Sequence, residues 1–175
     1  MSSYNFGKDN LAQYLKATFP KGSTLLDVGA CDGKYYEYLG DHFDMVACEI
    51  WEPNIEKYDL VKKYKAVAAC NIKDFCYDEM DVVLFGDVIE HMTVQDAQAV
   101  LEYAREHARE VVVAVPYMYP QGPIYGNPYE EHLQPDLTHE VFMERYPGFE
   151  LFDRQPNYGY YITKKEKNQQ KPSKS

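Results

Sequence analysis

A chain of 175 residues with 45% hydrophobic and 26% charged residues has material for one buried core, which excludes a disordered or low-complexity polypeptide. Its net charge is −10, and it is uneven: residues 164–175 hold five lysines and one glutamate, so the remainder carries 13 basic against 27 acidic residues, a net −14. That field repels polyanions and argues against nucleic acid as a partner.

No apolar run approaches the roughly 20 residues of a membrane-spanning helix. The start, Met1 to Asp9, lacks the greasy stretch behind a basic start that marks a secretory signal. Cysteines 31, 48, 70 and 76 form no CxxC pair. The expectation is reduced thiols in a cytoplasm, with no disulfide framework and no metal.

In chain order, residues 8–19 place Leu11, Tyr14, Leu15 and Phe19 on one helical face, with Asp9 or Asn10 as cap. Continuous apolar runs at 24–28, 45–50, 66–70, 81–86 and 111–115 predict strands covered on both faces, as in a parallel sheet. Between them, Pro53 opens a helix to about Lys63. Thr93 and Asp96 form a capping box ahead of Val94, Ala97, Leu101, Ala104 and Ala108 at helical spacing. Leu137 and Phe142 flank Thr138 as a hydrophobic staple, and strands follow at 149–153 and 158–163. Strand, helix, strand, repeated, means a doubly wound α/β sheet with helices on both faces. The chain reads as one domain over 1–163 and a solvated basic tail over 164–175.

Residues 116–136 break the pattern. They hold five prolines and four tyrosines, and a loop that long inside a compact domain is usually functional. It starts on the strand edge used by ligands, so it is the candidate acceptor lid. Tyr117, Tyr119, Tyr125 and Tyr129 offer flat faces with polar tips, Glu130 with Glu131 could pair with a cation, and His132 adds a titratable ring. His132 and His139, with Asp136 between them, do not make a convincing metal pattern.

The most informative stretch is Leu25-Leu26-Asp27-Val28-Gly29-Ala30-Cys31-Asp32-Gly33-Lys34, a buried strand ending in a tight turn before a helix. In an open parallel sheet this edge binds ligands. A dinucleotide fingerprint needs glycine where Cys31 and Lys34 stand, which disfavours a nicotinamide-using reductase. The acidic-x-G-x-G-x-G pattern fits Asp27, Gly29 and Gly33 and misses once, at Cys31. With it the chain resembles the class I S-adenosylmethionine-dependent methyltransferases. Glu49 ends the second strand, Asn71-Ile72 follows the third, and Asp87-x-x-Glu90-His91 follows the fourth, which are further points of likeness.

The resemblance implies a seven-stranded, mostly parallel Rossmann-like sheet whose last strand is antiparallel. It implies S-adenosyl-L-methionine as cofactor, held by Asp27, Gly29, Ala30, Cys31 and Gly33 at the turn. Glu49 would accept the ribose hydroxyls, with Ile50 and Trp51 beside adenine, Asn71 and Ile72 at its edge, and Asp87 near the methionine part. Glu90 and His91 would face the acceptor as the catalytic pair, His91 as first candidate for a base. The implied activity is methyl transfer to an O or N atom of a small or medium-sized acceptor such as a sugar, amine or aromatic metabolite. The alternative is a non-catalytic cofactor-binding or regulatory module of the same fold.

Overall fold

A computed structural model describes residues 7–164. Strands β1 (Thr24–Val28), β2 (Asp44–Cys48), β3 (Ala66–Ala68), β4 (Met80–Gly86), β5 (Ala108–Pro116), β6 (Phe149–Gln155) and β7 (Tyr158–Thr163) form one sheet. Its order is β3-β2-β1-β4-β5-β7-β6. Strands β1 to β5 pair in parallel, and β7 runs antiparallel to both its neighbours, β5 and β6. The chain therefore winds outward from β1 to β3 on one side and from β4 onward on the other. The carboxyl ends of β1 and β4 meet at this reversal, where an open α/β sheet leaves a crevice.

Alternate residues of each strand feed two cores, which is why the strands read as unbroken apolar runs. Leu26, Val28, Val83, Phe85, Val111 and Val113 pack under α5 (Val94–His107) and α6 (His139–Arg145). Leu25, Met45, Ala47, Val82, Leu84 and Val112 pack under α1 (Lys8–Thr18) and α2 (Lys34–Leu39). Thr93 caps α5 as expected, its Oγ1 accepting the Asp96 N–H at 3.1 Å. The helix ends at His107, and Ala108 opens β5. The staple around Thr138 also forms, with Leu137 and Phe142 fully buried.

Some boundaries differ from the sequence reading. Helix α1 is preceded by Gly7 in a left-handed conformation, and neither Asp9 nor Asn10 caps it; Asn10 instead donates to Asp153 across the surface. The single helix expected from Pro53 to Lys63 is two, α3 (Glu52–Lys57) and α4 (Leu60–Lys63). Between them Asp59 takes φ +52, which turns the chain so that Leu60 is fully buried. Lys164, placed in the tail by composition, belongs to the fold: its N–H bonds the Gly148 carbonyl at 3.0 Å. The rest of the expected tail, 165–175, lies outside the described residues.

Gly29 ends β1 with φ +68, and its N–H bonds the Cys48 carbonyl at 2.7 Å. A Cβ there would stand 2.7 Å from Val88 Cγ2. Gly29→Ala is therefore expected to cost about 1–2 kcal/mol from the left-handed backbone alone, plus the clash. Chemical denaturation checks this, and an unchanged midpoint would contradict it.

Candidate functional site

The carboxyl edge of the sheet holds a cavity of about 290 Å³. Four post-strand segments build it. The β1 turn contributes Gly29, Ala30 and Cys31, the end of β2 contributes Glu49 and Ile50, the end of β3 Asn71 and Ile72, and the end of β4 Asp87, Glu90 and His91. From the 116–136 loop come Tyr119, Gln121, Asn127, Tyr129, Glu130 and His132.

Glu49 is the structural link between the first two segments. It is 3% exposed, yet its carboxylate is well paired: Oε2 accepts the Cys31 N–H and Oε1 the Trp51 N–H, each at 2.8 Å. Burial raises its pKa, and the two amides act against that shift. Each oxygen keeps further lone-pair capacity. Cys31 stands where the glycine pattern misses, and it takes φ +47. The amide it presents to Glu49 depends on that conformation. Burial pushes its thiol up to about 12, so the sulfur is an uncharged wall of the pocket.

Asp27 does not line the cavity. It sits under the turn, 1% exposed, with Tyr64 Oη donating to Oδ2 at 2.6 Å and no hydrogen-bond partner for Oδ1 among the described residues. Burial is the main cause of a pKa raised to about 7. Gly33 is likewise off the cavity, opening α2 at φ +77. Trp51 gives its backbone amide to Glu49, while its ring meets Tyr129 edge-on at 6.3 Å. The ring lies outside the cavity lining.

Asp87, at φ +56, receives the Tyr158 hydroxyl from β7 on Oδ1. The next turn, Ile89–His91, carries Glu90, 1% exposed. Burial and then Asp87 hold its carboxyl well above the usual range. His91 is pushed down to about 4 by burial and then by His132, so its ring is neutral. Its Nδ1 donates to the Glu131 carbonyl at 3.1 Å, leaving Nε2 toward Glu90 Oε1 at 3.9 Å.

The loop is fastened to this turn. Leu133 and Gln134 both donate their N–H groups to the Glu90 carbonyl, at 2.8 and 3.0 Å. The Gln134 side chain, 2% exposed, donates to Ile89 O and Met92 O and accepts from Tyr146 and Arg145. His132 thereby reaches His91, with ring centroids 4.7 Å apart. His139 goes elsewhere and stacks on Tyr161.

Of the expected acceptor residues, Tyr129 and His132 line the cavity. Tyr117 is buried in the core with its hydroxyl on Tyr161. Tyr125 is 83% exposed and outside the lining. Glu131 contributes its backbone carbonyl to His91, not its carboxylate to the pocket. Sequence reasoning missed Lys34, Asn54, Gln121 and Tyr158 in the lining. It also missed Gln134 behind it. None of these carried a signal in the sequence, whereas Glu130, read with Glu131 as a partner for a cation, does line the cavity.

Residues 26–112 match the model of a family described as methyltransferase domain. No curated protein matches the sequence. Among solved structures, the fold is similar to a DhpI–SAH complex, with TM-score 0.69 at 15% identity over 91% of this chain and 87% of that one. An S-adenosylmethionine-dependent methyltransferase from Clostridium acetobutylicum gives 0.68 at 11%, over 93% and 92%. The N-terminal domain of EvdMO1 with SAH bound gives 0.65 at 12%, over 89% and 80%. At such identities the likeness is one of fold. Among the described residues no helix is long and apolar enough to cross a membrane.

Asp27 gives a pH signature. Its folded pKa, about 7, lies above the unfolded value of about 3.9. The folded state therefore holds the extra proton between these values, and the associated stability is lost as pH rises through 7. Asp27→Asn removes that loss. From pH 5 to pH 8 the variant should gain on the wild type by on the order of 2–3 kcal/mol, read by urea denaturation. An equal difference at both pH values would contradict the assignment.

Proposed function

The chain belongs to the class I, Rossmann-like S-adenosylmethionine-dependent methyltransferase family, and from that premise we propose that it methylates an oxygen or nitrogen atom of a small or medium-sized acceptor. The observation that carries this reading is the Glu49 carboxylate, buried and preset between the β1 and β2 turns by two backbone amides. The pocket fits the cofactor in three respects. Gly29 leaves main chain accessible where a Cβ would crowd Val88. Glu49 retains acceptor capacity for a pair of hydroxyls. Asp32, Glu49, Asp87, Asp96 and Glu130 outnumber Lys34 and Lys73 in the lining, which favours a cationic ligand.

When bound, the cofactor supplies a methyl group on a cationic sulfur with a good leaving group. The protein then has to align, dehydrate and handle one proton. Gly29, Ala30, Cys31, Glu49, Ile50, Asn71, Ile72 and Asp87 are assigned to cofactor binding. Asp27 and Gly33 act from behind, by shaping the turn. Gln134 pins the loop over the β4 side of the cavity and excludes water there. Tyr129 and His132 contact the acceptor. A hydroxyl or ammonium acceptor passes its proton to His91, whose neutral ring keeps a lone pair on Nε2, with Glu90 beside it.

Glu49→Ala is expected to weaken S-adenosylhomocysteine binding by about 1–3 kcal/mol, roughly ten- to hundredfold, as for the loss of a charged hydrogen-bond partner. Isothermal calorimetry reads it, with NAD as a ligand expected to give no heat. Unchanged affinity in a folded variant would contradict the assignment. His91→Ala should lower turnover across an acceptor panel and leave cofactor affinity within about twofold. Wild-type binding without turnover on any acceptor would favour the non-catalytic module.

A further inference from the structure

The Glu90 carboxylate is deeply buried, and neither oxygen has a hydrogen-bond partner among the described residues. Such a group is costly to bury unless it is neutralised or bound to a cation. Two imidazoles stand beside it. One ligand atom from each of Glu90, His91 and His132 lies within 4.8 Å of the other two.

The two rings are held in the same way. His91 Nδ1 bonds the Glu131 carbonyl at 3.1 Å, and His132 Nδ1 bonds the Tyr119 carbonyl at 2.6 Å. A carbonyl oxygen only accepts, so in each ring Nδ1 carries the proton and Nε2 carries the lone pair. This is the tautomer and orientation that backbone carbonyls impose on metal-binding histidines. The rings meet edge-on, at 81°, as two ligands approaching one point from different directions would.

The support behind the three groups is also built in. The amides of Leu133 and Gln134 hold the Glu90 carbonyl, and the Gln134 side chain bonds the carbonyls on either side of the Glu90–His91 pair. The segment bearing His132 is therefore locked to the segment bearing the other two.

We propose that Glu90, His91 and His132 bind a divalent transition-metal ion at the acceptor end of the cavity. Two imidazoles and one carboxylate suit Zn²⁺, Fe²⁺ or Co²⁺ far better than Mg²⁺ or Ca²⁺, which prefer oxygen ligands. Metal–ligand bonds of about 2.0–2.2 Å set tetrahedral donors roughly 3.4 Å apart, so donors that now lie within 4.8 Å of one another draw together on binding. Three protein ligands leave coordination positions on the cavity side for water or an acceptor oxygen. The site replaces the expectation of a metal-free chain, and it brings His132 to His91 where the sequence offered only His139 as a neighbour. The inference extends the acceptor-side reading above, but its test reads the ion directly.

The test uses the full chain, freed of metal with a chelator and titrated with Zn²⁺ by calorimetry and with Co²⁺ by visible absorption. One ion per chain is expected, with the Co²⁺ spectrum of a four- or five-coordinate nitrogen–oxygen site. Glu90→Gln and His132→Ala should each lower Zn²⁺ affinity at least tenfold, while His139→Ala leaves it unchanged. S-adenosylhomocysteine binding by the metal-free variants confirms that they are folded. Absent Zn²⁺ binding at millimolar concentration would overturn the proposal. So would affinity unaltered in both cluster variants. A near-ultraviolet thiolate-to-cobalt band would do the same, because it would place the ion on Cys48 and Cys70, whose sulfurs are 3.9 Å apart. Retained S-adenosylhomocysteine binding alongside any of these results would sink the metal site alone and leave the methyltransferase reading standing.

Discussion

One carboxylate holds the cofactor end of this molecule together. Glu49 leaves the sheet just after β2 and accepts one backbone N–H from the turn after β1 and one from its own strand's continuation. Two charge-assisted bonds to main chain offset much of the cost of burying the charge. They also fix the mouth of the crevice. With Cys31 tied to Glu49, the turn cannot relax away from β2. With Trp51 tied to Glu49, the entry to α3 is set as well. The sheet supplies the reversal of strand order, and this bridge turns it into a shaped pocket.

The acceptor side rests on a different device. The 116–136 loop carries little regular structure, yet its end is bound to the turn after β4 through main-chain and side-chain bonds that converge on Glu90 and Gln134. The loop is thus part of the wall. It makes the pocket acidic and partly aromatic, with Glu130, Tyr119, Tyr129 and His132 in its lining. The two sides meet over Asp87, which Tyr158 holds from β7, so the antiparallel edge of the sheet also contributes to the site.

The legible parts of the sequence were those whose causes are local. Unbroken apolar runs marked both-face burial, Thr93 with Asp96 marked a helix start, and Gly29 with Glu49 marked a turn and its acidic partner. What escaped depends on long-range contacts. Trp51 and Tyr117 are flat rings in plausible places, but packing turns one toward Tyr129 and sinks the other into the core beside Tyr161. Asp27 belongs to the right motif, yet it lies beneath the pocket on Tyr64. His91 and His132 come from segments with no periodicity between them, and Gln134, which joins those segments, has no sequence signature. The break at Asp59 is a backbone choice that composition does not announce.

A crystal structure of the S-adenosylhomocysteine complex tests the central claim most directly. The account predicts Glu49 still accepting from the Cys31 and Trp51 amides while its remaining lone pairs receive both ribose hydroxyls. Glu49 swung away from the two amides, or the ligand seated outside the β1–β2 crevice, would contradict it.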